Sequence, residues 1–120
     1  MSDAIPAAPE VSAEDHKLVT LARATRARTN AAEGAAVRDL DGRTYAAATV
    51  ALPSLAVSAL GACIAMAVAS GAKGLEAAVL LSEGDGPADL DLAAVREFAG
   101  PEVPIHLGNW RGQVSASTRT

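Results

Sequence analysis

The feature that most constrains this fold is an uncharged, largely apolar segment in the middle of the chain, residues 46–72. Its length would suit a membrane span, but Pro53, several small polar residues and two glycines interrupt it, and leucine and isoleucine are sparse. A strand followed by a helix over residues 55–70, with Ser54 as its N-cap and Gly71 after its end, accounts for the segment better. Such a helix is apolar nearly all round, so we expect it to be buried within the fold, at a subunit interface, or both.

The composition of the core points to self-association. Half of the 120 residues are hydrophobic, but only Tyr45, Phe98 and Trp110 are aromatic, and alanine supplies much of the apolar content. An alanine-rich core packs helices closely but gains less free energy per side chain than a core of larger residues. We therefore expect further burial between subunits, in a homodimer or homotetramer formed through the helix 55–70.

Charge and targeting signals narrow the class of protein. The net charge of −4 and the pI of about 5.0 argue against nucleic-acid binding, which needs clustered lysine and arginine. The basic side chains of Lys17, Arg23, Arg26 and Arg28 are interpreted as a solvated helix face. No basic region followed by an apolar run opens the sequence, so we expect no signal peptide, no membrane association and a cytoplasmic location.

Glycine, proline and helix-capping residues divide the chain into one domain over residues 12–115, a disordered tail over 1–11 and a loose tail over 116–120. Apolar spacing predicts helices and strands in the order α-β-β-α-β-α-β. The expected ranges are, in that order, 13–28, 34–38, 44–51, 55–70, 75–81, 89–98 and 103–107. A hairpin that feeds a crossover helix, followed by alternating elements, predicts an α/β sandwich of two or three layers with a mixed sheet.

Three phrases of the sequence carry a family resemblance. They are residues 29–37 (Thr-Asn-Ala-Ala-Glu-Gly-Ala-Ala-Val), residues 41–45 (Asp-Gly-Arg-Thr-Tyr) and residues 97–109 (Glu-Phe-Ala-Gly-Pro-Glu-Val-Pro-Ile-His-Leu-Gly-Asn). In order and spacing they resemble the small homotetrameric cytidine deaminases. The first is similar to that family's Ser-Asn-Phe-Pro-Val-Gly-Ala-Ala-Val, the second to its following hairpin, and the third to the stretch after its second cysteine pair. The likeness covers about residues 13–114 and implies the cytidine-deaminase-like fold.

The resemblance also implies where a zinc site would lie. In that family a Cys or His and two further Cys bind Zn²⁺, which activates a water molecule, and a Glu two residues after the first ligand transfers protons. The first ligand position corresponds to Leu60 and the Glu position to Ala62. The two further Cys positions correspond to Ala88 and Asp91. None of the residues that the zinc chemistry requires is present at these positions.

The positions that bind substrate in the family are changed as well. Its Asn and Glu at the end of the hairpin correspond to Thr49 and Ala51, and its stacking Phe corresponds to Ala31. No other register restores the proton-transferring carboxylate, because no Glu occurs between Gly34 and Leu75. We therefore expect no catalytic residue, no metal and no cofactor in this chain.

The side chains with soft ligand atoms are Cys63, His16 and His106. Cys63, the only cysteine, cannot form an intramolecular disulfide, and its position in the middle of an apolar helix predicts a buried, unreactive thiol rather than a nucleophile or a metal ligand. His106 follows an apolar strand and is interpreted as a hydrogen-bonded or exposed histidine rather than a ligand. His16 lies in the first turns of a helix, where we expect it to be exposed.

Two further features have alternative interpretations. Glu83, Asp85, Asp89 and Asp91 form an acidic patch around a glycine-rich loop, but the patch lacks the residue order of a calcium loop. Favourable charge at the start of a helix explains Asp89 and Asp91 more simply. Trp110, in a glycine-flanked turn, is either an interaction anchor or a cap over the edge of the core, and the sequence favours neither.

We hypothesise a catalytically inactive cytidine-deaminase-like protein that acts through oligomerisation or by binding an unidentified protein. Three alternatives stay open. The first is a module whose vestigial pocket binds a nucleoside or another small ligand. The second is a cytidine deaminase homologue with unrecognised activity. The third is an enzyme of another type, using Asp and His groups that the sequence does not bring together.

Overall fold

A mixed sheet of five strands forms the middle layer of the fold, in a computed structural model that describes residues 10–120. The elements in chain order are α1 (Ala13–Thr29), β1 (Glu33–Asp39), β2 (Thr44–Ala48), β3 (Val50–Leu52), β4 (Leu55–Val57), α2 (Ala59–Ala69), β5 (Leu75–Ser82), α3 (Asp89–Ala99), β6 (Pro104–Gly108) and β7 (Val114–Arg119). The expected α/β class with a mixed sheet is confirmed. Within residues 10–120, no helix combines the length and the apolar character that crossing a bilayer requires.

The strand order is β2-β1-β5-β6-β7, and only β5 and β6 are parallel. The parallel pair requires a crossover, which α3 supplies between the two strands. Helix α1 packs on one face of the sheet, and α2 and α3 pack on the other. The fold therefore has three layers, with the starts of α2 and α3 on the same side.

Alternation along β5 divides the apolar side chains between two cores. Ala77, Val79 and Leu81 pack against α1, whereas Ala78 and Leu80 pack against α2 and α3. Both sets are buried, which explains why the segment reads as a continuous apolar run.

Close packing of α1 on β1 requires glycine at position 34. A Cβ built on Gly34 would lie 2.6 Å from the Cβ of Arg26 in α1. This glycine belongs to the first of the three phrases that carry the family resemblance.

The helix expected over residues 55–70 begins later than predicted. Residues 55–57 form β4, which pairs with β3 in a small hairpin that turns at Pro53 and Ser54. The predicted cap, Ser54, is therefore wrong, because Leu52 and Leu55 pair across the two residues that form this turn. The N-cap of α2 is Ser58, whose Oγ accepts a hydrogen bond from the Gly61 amide at 3.0 Å.

The end of the chain is also more ordered than the sequence indicates. Residues 116–119, expected in a loose tail, belong to β7, which pairs with β6. Thr120 is buried, its Oγ1 donates to the carbonyl of Gly100 at 2.8 Å, and it accepts from the amide of Val103 at 3.2 Å. At the other end, residues 1–9 of the predicted tail over 1–11 lie outside the described residues.

Replacing Thr120 by Val keeps the side-chain shape but removes both hydroxyl hydrogen bonds. We expect the free energy of unfolding to fall by about 1–3 kcal/mol, because the buried Val103 amide loses its acceptor. Urea denaturation followed by circular dichroism measures the change. Thr118→Val, two residues earlier in β7, is the matched control and should stay within about 0.5 kcal/mol of the parent. An equal loss in both variants would contradict this assignment.

Candidate functional site

The first turns of α2 and α3 meet through one side-chain hydrogen bond, which we call the helix-start junction and which consists of Ser58, Gly61 and Asp91. Ser58 Oγ donates to Asp91 Oδ1 at 2.9 Å while it accepts from the Gly61 amide at 3.0 Å. The same hydroxyl thus caps α2 and links it to α3. The distance of 2.9 Å lies within the ordinary range of an O–H···O hydrogen bond.

The N-terminus of α2 interacts favourably with the side chain of Asp91 in the neighbouring helix. The first turn of α2 contains no acidic residue of its own, and Asp91 of α3 lies beside it. The exposed amides at the start of a helix carry partial positive charge, so the Asp91 carboxylate is stabilised by α2 as well as by its own helix.

The absence of a side chain at Gly61 is part of this geometry. A Cβ built there would lie 2.6 Å from Ser58 Oγ and 3.4 Å from Asp91 Oδ1. Any other residue at position 61 would therefore push the Ser58 hydroxyl out of place.

The four positions that correspond to the zinc chemistry do not form a zinc site. Leu60 is fully buried in the core, Ala62 is half-buried, and Ala88 is the N-cap of α3 without a side-chain capping bond. Zinc takes thiolate, imidazole or carboxylate ligands, so of these four only Asp91 has a suitable atom, and Ser58 already binds it. Among residues 10–120, no cluster of three or more His, Cys, Asp or Glu is arranged to hold a metal ion. The residues present do not fit the metal.

The three positions that correspond to substrate binding have other surroundings. Thr49 Oγ1 accepts a hydrogen bond from the amide of Glu33 at 2.9 Å, so its hydroxyl joins the end of the hairpin to the start of β1. Ala51 is exposed in β3, and Ala31 is half-buried after α1. The two alanines have no polar side-chain group. The hydroxyl of Thr49 is already hydrogen-bonded to the backbone of Glu33.

Cys63 is fully buried in the core beneath α2. Its Sγ lies 3.6 Å from the carbonyl oxygen of Tyr45. Burial raises the pKa of the Cys63 thiol to about 12, so the thiolate that a nucleophile or a metal ligand requires is disfavoured. The expected burial of the Cys63 thiol is confirmed, and its lack of reactivity stays a prediction.

Trp110 closes the edge of the fold where α1 passes into β1. Its Nε1 donates to the carbonyl of Ala32 at 2.9 Å, and the Arg26 guanidinium lies 3.6 Å from the centre of its ring. The side chain stays 37 % exposed. These contacts support the interpretation of Trp110 as an edge cap, and they add a cation–π interaction that the sequence did not predict.

The remaining candidates lie apart from the helix-start junction. Asp85 and Asp89 are exposed, and Glu83 Oε1 accepts from the Trp110 amide at 3.4 Å, so Asp91 alone of the acidic patch joins the junction. His16 is exposed as expected. His106 is buried on the α1 face, opposite α2 and α3, where it is hydrogen-bonded through both ring nitrogens.

Comparisons with known proteins agree with this architecture. The family model described as "Cytidine deaminase-like" matches residues 11–112. The cytidine deaminase from Burkholderia pseudomallei is similar, with a TM-score of 0.75 and 24% identity over 86% of this chain and 90% of that chain. The cytidine deaminase from Mycobacterium leprae has a TM-score of 0.65 and 26% identity over 83% of this chain and 92% of that one. A search of curated proteins finds no match.

Removing the Asp91 carboxylate should destabilise the fold. In Asp91→Ala we expect the free energy of unfolding to fall by about 1–2 kcal/mol, because a hydrogen bond to a charged acceptor is lost between two helices. Asp89→Ala is the matched control, since Asp89 lies in the same helical turn but is exposed. Urea denaturation of both variants separates the junction bond from the general charge effect. Equal losses would show that the Ser58–Asp91 bond adds nothing to helix-start electrostatics.

Proposed function

Because this chain belongs to the cytidine deaminase-like family, we propose that it keeps the family's fold without zinc-dependent deamination and acts in the cytoplasm by assembling with itself. Fold and activity are separable, since the activity depends on a few side chains placed on the fold. Its positions 60, 62 and 88 hold hydrocarbon side chains, which neither bind zinc nor transfer protons.

The observation that carries the proposal is the hydrogen bond between Ser58 and Asp91. In the family that the sequence resembles, zinc is held where the first turns of these two helices meet. Here a direct hydrogen bond between two side chains joins the two turns. Its acceptor, Asp91, is the one carboxylate among the positions that correspond to zinc ligands. Hydrolytic deamination needs a metal-activated water, and the junction has no set of ligands to hold that metal, since its one carboxylate, Asp91, is hydrogen-bonded to Ser58.

Self-association is supported by the distribution of exposed apolar side chains. Among the described residues, eight large hydrophobic side chains are exposed, and five of them belong to β3, β4, α2 and α3. These five are Leu52, Leu55, Met66, Val68 and Leu90. Exposed large apolar side chains are common at protein–protein interfaces, and four of these five lie on β3, β4 and α2, which follow one another along the chain. We propose that a second copy of the chain covers these side chains. An alanine-rich core gains little free energy per side chain, so apolar burial between two copies would add to the stability.

Zinc content and deamination test the loss of chemistry. Protein purified without a metal-binding tag should contain no stoichiometric zinc and should not convert cytidine to uridine. The combined variant Leu60→Cys, Ala62→Glu, Ala88→Cys and Asp91→Cys should bind about one zinc per chain, because it restores three thiolate ligands at the helix starts. The same variant with Asp91→Ala in place of Asp91→Cys is the matched control and should bind zinc more weakly.

The opposite outcome would favour the activity of the structural neighbours, which are cytidine deaminases. About one zinc per chain in the unmodified protein, together with turnover, would overturn the proposal, since zinc chemistry requires such a site. Substitution of Cys63, His16 and His106 would then identify the ligands.

Sedimentation velocity tests the assembly. The unmodified protein should sediment as a dimer or larger, and Val68→Lys should shift it to the monomer, because a charge would be buried at the interface. Val68 is 52% exposed, so the substitution leaves the monomer core intact. Leu40→Lys, at a residue that is 56% exposed beyond the end of β1, is the matched control and should not change the sedimentation. A monomeric parent protein would contradict self-association.

A further inference from the structure

Three side chains from distant parts of the chain line up on the α1 face of the sheet. Asp15 Oδ2 lies 2.9 Å from His106 Nε2, and His106 Nδ1 lies 2.7 Å from Ser117 Oγ. Asp15 belongs to the first turn of α1, His106 to β6 and Ser117 to β7. The histidine is 6 % exposed, so its ring is held between its two partners.

The partners of His106 determine where its proton resides. Burial alone would raise the pKa of Asp15, but hydrogen bonds from His106 and Arg38 outweigh it and keep the pKa below its ordinary value. The ionised carboxylate only accepts hydrogen bonds, so in the neutral ring Nε2 carries the proton and Nδ1 has a free lone pair. The Ser117 hydroxyl then donates to Nδ1, which is the polarity that a general base requires.

Arg38 fixes the orientation of the carboxylate. Its Nη2 donates to Asp15 Oδ1 at 2.8 Å, and its Nε donates to Glu76 Oε1 at 3.0 Å. Oδ1 is therefore held by Arg38 while Oδ2 faces the histidine. The amide of Asp15 also donates to the N-cap Ser12 at 3.1 Å, so both the backbone and the side chain of Asp15 are constrained.

An open cavity of about 550 Å³ lies against this row of side chains, within the size range of small-molecule sites. Its lining residues are Glu10, Pro104, His106, Ser117, Thr118 and Arg119. Ser117 is exposed, so a substrate can reach its hydroxyl. β7 is the last strand of the sheet, and an edge strand presents backbone N–H groups that pair with no other strand within residues 10–120. These amides are candidate donors to a developing oxyanion.

We propose that Ser117, His106 and Asp15 form a nucleophilic site that hydrolyses small carboxylic esters. Ser117 Oγ forms a bond to the ester carbonyl carbon, its proton passes to His106 Nδ1, and the carbonyl electron pair moves onto oxygen. When that pair returns, the bond to the alkoxy group breaks and the alcohol leaves with the proton from His106. Water then repeats the sequence and releases the acid. Ester and water thus give acid and alcohol, and Asp15 stabilises the charged ring.

The site is independent of the proposed loss of zinc chemistry, because it lies on the other face of the sheet and uses none of the residues of the helix-start junction. The roles of the two ring nitrogens are exchanged relative to the familiar serine hydrolase arrangement. The order of contacts, from carboxylate to imidazole to hydroxyl, is the same.

Covalent labelling of the full chain tests the proposal. The protein is incubated with diisopropyl fluorophosphate at neutral pH, and the modified residue is located by peptide mass spectrometry. We expect one label on Ser117, none in Ser117→Ala, and unchanged labelling in Ser115→Ala. Ser115 is the matched control because it is an exposed serine on the same strand. p-Nitrophenyl acetate should give a burst of p-nitrophenol that Ser117→Ala abolishes.

The role of the histidine is tested by rate. His106→Gln should slow labelling of Ser117 by about 100-fold or more, the range typical of a lost general base. Asp15→Asn serves as the second variant if His106→Gln does not fold, and it should slow labelling by at least about 10-fold with the circular dichroism spectrum unchanged. No label on Ser117 in the folded protein would overturn the proposal, as would labelling of folded His106→Gln or Asp15→Asn at the parent rate.

Discussion

Helices cover the central sheet on both faces, and the positions of the other elements depend on this double burial. β1 and β5 run through the middle of the sheet with almost every side chain buried, so each contributes to two separate cores. The cores are filled largely by small side chains, which bring the helices close to the sheet. Such close approach leaves no room for a side chain at some contacts, as at Gly34, where α1 lies against β1. It also fixes where the starts of α2 and α3 lie, and hence which side chains meet between them.

The proposed loss of the zinc site would leave the hydrogen bond from Ser58 to Asp91 as a link between the starts of α2 and α3. Leu60, at the first ligand position of the resembled family, is fully buried, and full burial of a leucine side chain is worth about 1.5–3 kcal/mol. A chain that relies on such contacts has the most to gain from burial between subunits. The sequence of α2 is consistent with this, because the helix remains apolar on its exposed side at Met66 and Val68.

Local signals in the sequence were sufficient for most elements. α1 ends at Thr29, one residue after the predicted end, and the following Asn30 adopts the left-handed conformation (φ 51°) that asparagine tolerates. The predicted start of α2 was wrong because Ser54 and Ser58 both precede apolar residues, and either serine could cap a helix by local signals alone. The choice depended on partners that are not local, since Ser58 binds Asp91, 33 positions away.

The row of Asp15, His106 and Ser117 could not be predicted for the same reason. Each residue has an ordinary local role: Asp15 favours a helix start, His106 ends an apolar strand and Ser117 lies in a polar segment. Their convergence depends on the strand order and on the position of α1 over β1 and β5. The buried thiol of Cys63, by contrast, followed from its neighbours alone.

The pairing of Asp15 with His106 has a consequence for how the chain folds. The two residues are 91 positions apart, and β7, which holds the histidine from its other side, is the last strand. During synthesis, α1 leaves the ribosome long before its hydrogen-bond partner His106 exists, so the pair adds nothing to the stability of early nascent chains. Contacts of this span carry a high cost in loop-closure entropy and slow the search for the native state. The Asp15 carboxylate in the first turn of α1 therefore stays hydrated until β6 and β7 have been synthesised and have folded against α1.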